Sequence, residues 1–364
     1  KASKMLPDFS FHFQLASVYM MQRKYEEMIG EYLDLLEKDP NRKGAIQNRM
    51  QYITDNETTS DIHNILRRKL LQRIRENPSQ GSYYSMLIWL YEQQKDFKSA
   101  LRQARAIDMR NDRQGREVYK VANLALSNGA YGVAEEAYRY VIDKGPHKPY
   151  YWPSRTKLLD VVFQRVTKGK TPARKELLRI ERDYANTIKE ANPGNRRAQM
   201  LKKLAHIRAF YLDESQEALE TINEALNMGN INAGLYAKCQ LEKGDILVKK
   251  GDVWDAVLLY AKIEKDNKNN PQGFTAKYRK ARMAYFTGDF EWAQAQLDVL
   301  KASTSKLIAN DAFKLAELID DNTQQDTAGN ALRIYARADM YLWQRKDSLA
   351  LVTLDSIKIG RAHV

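Results

Sequence analysis

The chain has a single cysteine, Cys239, among 364 residues. That excludes an intrachain disulfide framework and a cysteine-built metal site, and it leaves Cys239 as a small core residue on a helix. Prolines number nine and glycines seventeen, gathered between segments that read as helices. Alternating valine- and isoleucine-rich runs, the mark of strands, are missing. No stretch approaches the roughly 20 apolar residues needed to cross a bilayer. Histidine is scarce: His12, His63, His147 and His206 have no histidine or cysteine three or four residues away, as a metal site on a helix would require. No GxSxG, paired-carboxylate or Cys–His arrangement stands out. Gly169-Lys170-Thr171 has the end of a phosphate-binding loop but not the rest. Gln164 stands where that loop needs glycine, and no strand precedes it, so the segment reads as a turn followed by a helix cap. No catalytic residue, metal or cofactor is expected.

What the chain does have is a recurring spacing. A small or apolar residue is followed three residues later by another and twelve residues later by alanine. It occurs at Ile88, Tyr91 and Ala100; Ala122, Ala125 and Ala134; and His206, Ala209 and Ala218. It returns at Gly244, Leu247 and Ala256; Ala281, Ala284 and Ala293; and Ala338, Tyr341 and Ala350. Between the halves sits a turn, as in Lys95-Asp96-Phe97, Asn128-Gly129-Ala130-Tyr131 and Gly288-Asp289-Phe290. Two amphipathic helices touching along small residues beside a short turn produce this pattern. The alanines Ala100, Ala134, Ala256, Ala293 and Ala350 are therefore expected to be buried at crossings within hairpins.

These residues resemble the tetratricopeptide repeat, a helix–turn–helix unit with small residues where its helices cross and often a closing proline. Phe97 and Tyr131 are 34 residues apart, one period of that family. Val121-Ala122 with Ala125, Tyr131, Ala134, Tyr138 and Pro146 is the best copy, and Leu15-Ala16 with Tyr19, Tyr25, Tyr32 and Pro40 matches well, with Met28 in place of an alanine. Later copies drift, since Val253 to Phe290 is 37 residues and Phe290 to Asp347 is 57. The resemblance implies an all-α fold, an α-solenoid or right-handed superhelix of about nine hairpins. It is specific for fold and says little about function. The later units also look like envelope proteins of Bacteroidota, a lean towards a bacterial periplasm.

With 43% apolar residues, the core of such an array is buried between neighbouring units instead of in one globule. Hairpins are expected at 9–38, 45–77, 82–110, 116–143, 197–227, 234–265, 273–301 and 328–357, with a helix at 307–319 inserted before the last. The prolines of Gly145-Pro146-His147-Lys148-Pro149-Tyr150-Tyr151-Trp152-Pro153 imply an extended connection and a bend at 145–153. Thr171-Pro172 reads as the cap and first turn of a helix running to Ala191, stopped by Asn192-Pro193-Gly194. Residues 1–357 thus form one array. Residues 358–364, ending Gly360-Arg361-Ala362-His363-Val364, read as a non-native tail, so the natural chain is expected to continue past Ile357. A signal sequence upstream of Lys1 is compatible with the start.

Charge is uneven. Residues 1–60 carry −1, residues 61–210 carry +16 and residues 211–364 carry −2. Within the basic middle, Lys175, Arg179, Arg182 and Lys189 share one face of a helix, while Leu177, Tyr184 and Ile188 share the other. This is either a solvated outer face or a patch for an acidic partner, anionic lipid or RNA.

In proteins with this resemblance the concave groove binds, lined by the first helix of each hairpin. Applied here, the lining includes Ser82, Ser85, Trp89 and Glu92; Arg116, Tyr119, Asn123 and Leu126; Thr275, Tyr278, Arg282 and Tyr285; and Leu332, Tyr335, Asp339 and Leu342. Rings give area at low entropy cost, and amide and guanidinium groups hold a peptide backbone or carboxylate. The lysine/asparagine clamp of chaperone-tail binding repeats is largely absent, because Tyr119 holds the lysine place although Asn123 keeps the asparagine. The chain reads as a non-enzymatic scaffold for a peptide or partner protein, with RNA binding through the basic middle as the alternative.

Overall fold

The structure, a computed structural model, describes residues 11–56, 59–112, 114–169, 171–301, 306–323 and 329–361. Those residues form helices and turns with no strand among them, and none of the helices is long and apolar enough to cross a membrane. The chain divides into two compact units, one ending at Gly169 and one following it. The first unit holds α1 (His12–Met21), α2 (Tyr25–Lys38), α3 (Lys43–Asn56), α4 (Thr59–Glu76), α5 (Gly81–Gln93), α6 (Phe97–Asn111), α7 (Arg116–Ser127), α8 (Tyr131–Ile142) and α9 (Tyr151–Thr167). The second holds α10 (Arg174–Glu190), α11 (Asn195–Ile207), α12 (Ser215–Leu226), α13 (Ala233–Lys250), α14 (Val253–Asp266), α15 (Pro271–Thr287), α16 (Phe290–Lys301), α17 (Lys306–Thr323), α18 (Asn330–Trp343) and α19 (Asp347–Arg361).

Consecutive helices pack in pairs, which makes each unit a stack of tetratricopeptide-like hairpins. The crossings are where the spacing puts them. Ala100, Ala134, Ala256, Ala293 and Ala350 are all fully buried, as are Ala122 and Ala281 on the facing first helices. A larger side chain there would hold the two helices apart. The residue three after the first crossing position has a separate task. Its carbonyl accepts the backbone N–H five residues on, closing the turn: Asp96 to Tyr91 (2.9 Å), Ala130 to Ala125 (2.8 Å), Asp252 to Leu247 (2.9 Å) and Asp289 to Ala284 (2.9 Å). Such a bond needs one left-handed residue in the turn. Gly129, Gly251 and Gly288 supply it freely, and Lys95 (φ 55°) and Arg345 (φ 57°) supply it without glycine.

Two local expectations are corrected. Residues 145–153 are not extended: backbone bonds from Lys148 to Gly145 and from Tyr151 to Lys148 fold them into turns, and α9 starts at Tyr151. Pro153 sits in its first turn, where no amide donor is needed. Thr171 does not cap α10, which begins at Arg174 with Ala173 at the cap position. At the end of α11 the chain widens into a π-helical segment, Arg208–Leu212, held by Arg208, whose guanidinium donates to Glu181 (2.8 Å) and Thr221 (2.7 Å). No spacing in the sequence announced it. The inserted helix is present as α17, packed on α16, while α15 packs on α18. Within the expected tail, α19 extends to Arg361 and residues 362–364 lie outside the described residues.

Candidate peptide-binding groove

In the first unit, α5 and α7 carry the expected lining. Trp89 is half-buried against the core, and Arg116 is exposed. Tyr119 is packed between two other rings, with Tyr150 at 5.1 Å and Tyr138 edge-on at 5.9 Å. Asn123 is already engaged: the Tyr138 hydroxyl donates to its side-chain oxygen over 2.7 Å. Burial, reinforced by the Glu117 charge, pushes the Glu92 carboxyl above the usual carboxylate range.

The second unit brings more of the lining together. Thr275, Tyr278 and Arg282 of α15 border a cavity of about 290 Å³ with Asp245 of α13, Asp311 of α17 and Trp343 of α18. A neighbouring depression of about 250 Å³ shares Thr275 and Arg279 and adds Lys202, Lys238, Glu242 and Gln272. Tyr285 is not part of either. It is fully buried, 5.6 Å from the Phe286 ring and 6.0 Å from the Phe290 ring, because its turn of α15 faces the hairpin interior. Leu332 is likewise buried, whereas Tyr335 and Leu342 are exposed and Asp339 is half-buried.

An ionic cluster lines the cavity and the neighbouring depression. Asp245 accepts from the Tyr260 hydroxyl (2.7 Å) and pairs with Arg279 (2.8 Å), which also donates to the Leu241 carbonyl (2.9 Å). Burial pushes the Asp245 carboxyl up to about 6 despite the Arg279 charge. Glu242 lies 2.8 Å from His206 Nδ1 and 3.5 Å from Lys202. Burial alone would raise its carboxyl, but the His206 hydrogen bond and the charges of His206, Lys202 and Arg279 hold it below the usual range. Sequence reasoning missed these partners. One of them had a signal: Asn123 and Asp245 each directly follow a crossing residue, and each meets the tyrosine fifteen residues later.

The turn after α18 holds Trp343 at the cavity. Gln344 donates to the Val248 carbonyl (2.8 Å), and Arg345 donates to the Tyr211 hydroxyl (2.9 Å) while its guanidinium lies 4.0 Å from that ring. The Trp343 ring meets Phe210 edge-on at 5.5 Å.

Lys175, Arg179, Arg182 and Lys189 are all exposed on α10, opposite buried Leu177, Tyr184 and Ile188, and none makes an ion pair among the described residues. Cys239 is fully buried, and no group of three or more metal-ligating side chains occurs among the described residues. Lys170 lies outside those residues.

No protein-family model matches the chain, and no curated protein matches it in sequence. Among solved structures, it is similar to a tetratricopeptide repeat protein from Parabacteroides merdae ATCC 43184 at 14% identity, over 67% of this chain and 92% of that one, with a TM-score of 0.42. It is also similar to a circular tandem repeat protein with novel repeat topology and enhanced subunit contact surfaces, at 12% identity over 95% of this chain and 81% of that one, with a TM-score of 0.16. By the crossings and turns of their own hairpins, the described residues form an all-helical repeat array of tetratricopeptide-like fold.

Proposed function

We propose that the protein is a non-enzymatic interaction scaffold that holds an extended segment of a partner protein against the first helices of its hairpins. The observation that carries this is the cavity of the second unit, where Thr275, Tyr278 and Arg282 face open space of about 290 Å³ while the crossing alanines are sealed. A concave site with a few polar groups among rings suits a peptide, which brings its own backbone donors and acceptors. In the first unit, Trp89, Arg116, Tyr119 and Asn123 offer a second stretch of the same character, narrowed by the Tyr150 ring over Tyr119 and the Tyr138 bond to Asn123.

The test is selection of random phage-displayed peptides on the whole chain, followed by calorimetry on the recovered sequences. Binding should fall at least tenfold in a Tyr278→Ala/Arg282→Ala variant whose thermal melt is close to wild type, the loss expected of central interface anchors. Peptides that bind this variant and a Trp89→Ala/Tyr119→Ala variant as tightly as wild type would overturn the groove reading.

A further inference from the structure

We infer that the cavity of the second unit is a subsite for a cationic side chain, a lysine or arginine of the bound segment, received by Asp311. The inference rests on the peptide-binding reading above and names its ligand class.

The charges around the cavity are not all matched. Arg279 is paired with Asp245 at 2.8 Å. Arg282 is opposed by Asp339 at 3.7 Å and lies over the Phe286 ring at 5.0 Å. Asp311, half-buried at the same cavity, makes no hydrogen bond or ion pair among the described residues. Both arginines therefore have a counter-charge and one carboxylate does not, which leaves a formal excess of one negative charge. A carboxylate partly removed from water and lacking a partner favours an incoming cation.

The remaining walls suit the same guest. The Tyr278 hydroxyl and the Trp343 indole N–H are also unbonded among the described residues, and their rings border the cavity. Aromatic faces attract ammonium and guanidinium groups and cover an aliphatic stem. The influence of Asp311 already reaches Tyr278, whose hydroxyl is pushed up by burial first, with Asp311 and Asp339 adding to the rise and Arg282 opposing it. An anionic guest would have to break an existing arginine pair and sit beside an unmatched carboxylate.

The experiment uses the whole chain labelled with 5-fluorotryptophan, the Trp343 resonance being assigned with Trp343→Phe. The probes are the acetylated, methylamidated forms of lysine, arginine, norleucine and glutamate, together with n-butylammonium. Saturable shifts at Trp343 are expected with the lysine and arginine probes, more weakly with n-butylammonium and not with norleucine or glutamate, and weakened about tenfold or more in Asp311→Asn, as for loss of a charge-assisted bond. Asp311 makes no hydrogen bond or ion pair among the described residues, so this variant should melt like wild type. Equal shifts with norleucine or glutamate, or lysine binding unchanged in Asp311→Asn, would overturn the subsite. Tighter binding of n-butylammonium than of the lysine probe would assign the site to free amines and overturn the peptide source. If selected peptides need Tyr278 and Arg282 but tolerate Asp311→Asn and loss of their own basic residues, the scaffold stands and the subsite falls. Lysine-dependent shifts with no groove-dependent peptide recovered would give the reverse.

Discussion

Gly244 lies so close against the ring of Tyr260 that a single methyl group on its α-carbon would overlap the ring edge. This close crossing brings the Tyr260 hydroxyl to Asp245, the next residue along the helix. Gly244→Ala should therefore destabilise the chain by ~1–3 kcal/mol through overpacking, although alanine is the better helix former. Gly30, inside α2 with nothing within 4 Å of the same built methyl, should respond the other way. Gly30→Ala is expected to stabilise by about 0.5–1 kcal/mol. Urea melts of both variants check the pair, and the same sign for both would refute the packing argument.

Asn123 and Tyr138 form the equivalent pair in the first unit, at 2.7 Å. Tyr138 is fully buried, so Asn123→Ala strands its hydroxyl and should cost ~1–3 kcal/mol. Adding Tyr138→Phe should recover part of that loss, because the stranded donor is gone. A double-mutant cycle showing simple additivity would mean the two groups do not interact in solution.

How much of this was legible beforehand follows from range. The crossing alanines and the turns were readable because both depend on residues within one hairpin, and a fixed spacing records that geometry. Tyr285, two turns after Tyr278 on the same helix, lies inside instead of at the groove because the rings of Phe286 and Phe290 pack around it, and a spacing along one helix does not record that packing. Asp311 and Trp343 come from an inserted helix and from the end of a hairpin, and the repeat spacing assigns neither to the lining. Pairs such as His206 with Glu242, 36 residues apart, depend on how one hairpin stacks on the next. A single sequence does not record that stacking.

Cys239 gives a direct probe of that stacking. Its thiol is fully buried, and burial pushes it up to about 11. The thiolate is the reactive form, so modification by a disulfide reagent at mildly alkaline pH should be absent in the native chain and complete in denaturant. Fast labelling without denaturant would show that α13 is not packed as described.

Asp245 predicts the direction of a pH effect. Its carboxyl is raised to about 6, against an ordinary value of 3.8, so between those values the folded chain holds a proton that the unfolded chain has released. Protons then favour the fold, and the stability contributed by this group rises as pH falls through 6. Asp245→Asn removes the titration. Wild type should gain stability relative to this variant between pH 7 and pH 5, measured by denaturant melts at each pH. A flat difference, or a relative loss for wild type, would contradict the assignment.

The exposed basic face of α10 bears on nucleic acid. Lys175, Arg179, Arg182 and Lys189 point away from the buried stripe, yet the same helix also carries Glu176, Glu181, Asp183 and Glu190. With five basic and four acidic side chains, the helix nets only +1. An RNA track needs basic groups joined to rings on which bases stack, and here the face opposite the buried stripe offers charged and amide side chains instead. Titration of labelled single-stranded RNA at near-physiological salt should therefore show weak binding that is lost steeply as salt rises, because it would rest on counterion release. A variant with all four residues changed to glutamate should abolish that weak binding and leave peptide binding intact. Tight, sequence-selective RNA binding that disappears in this variant would overturn the scaffold reading and make the basic face the functional one.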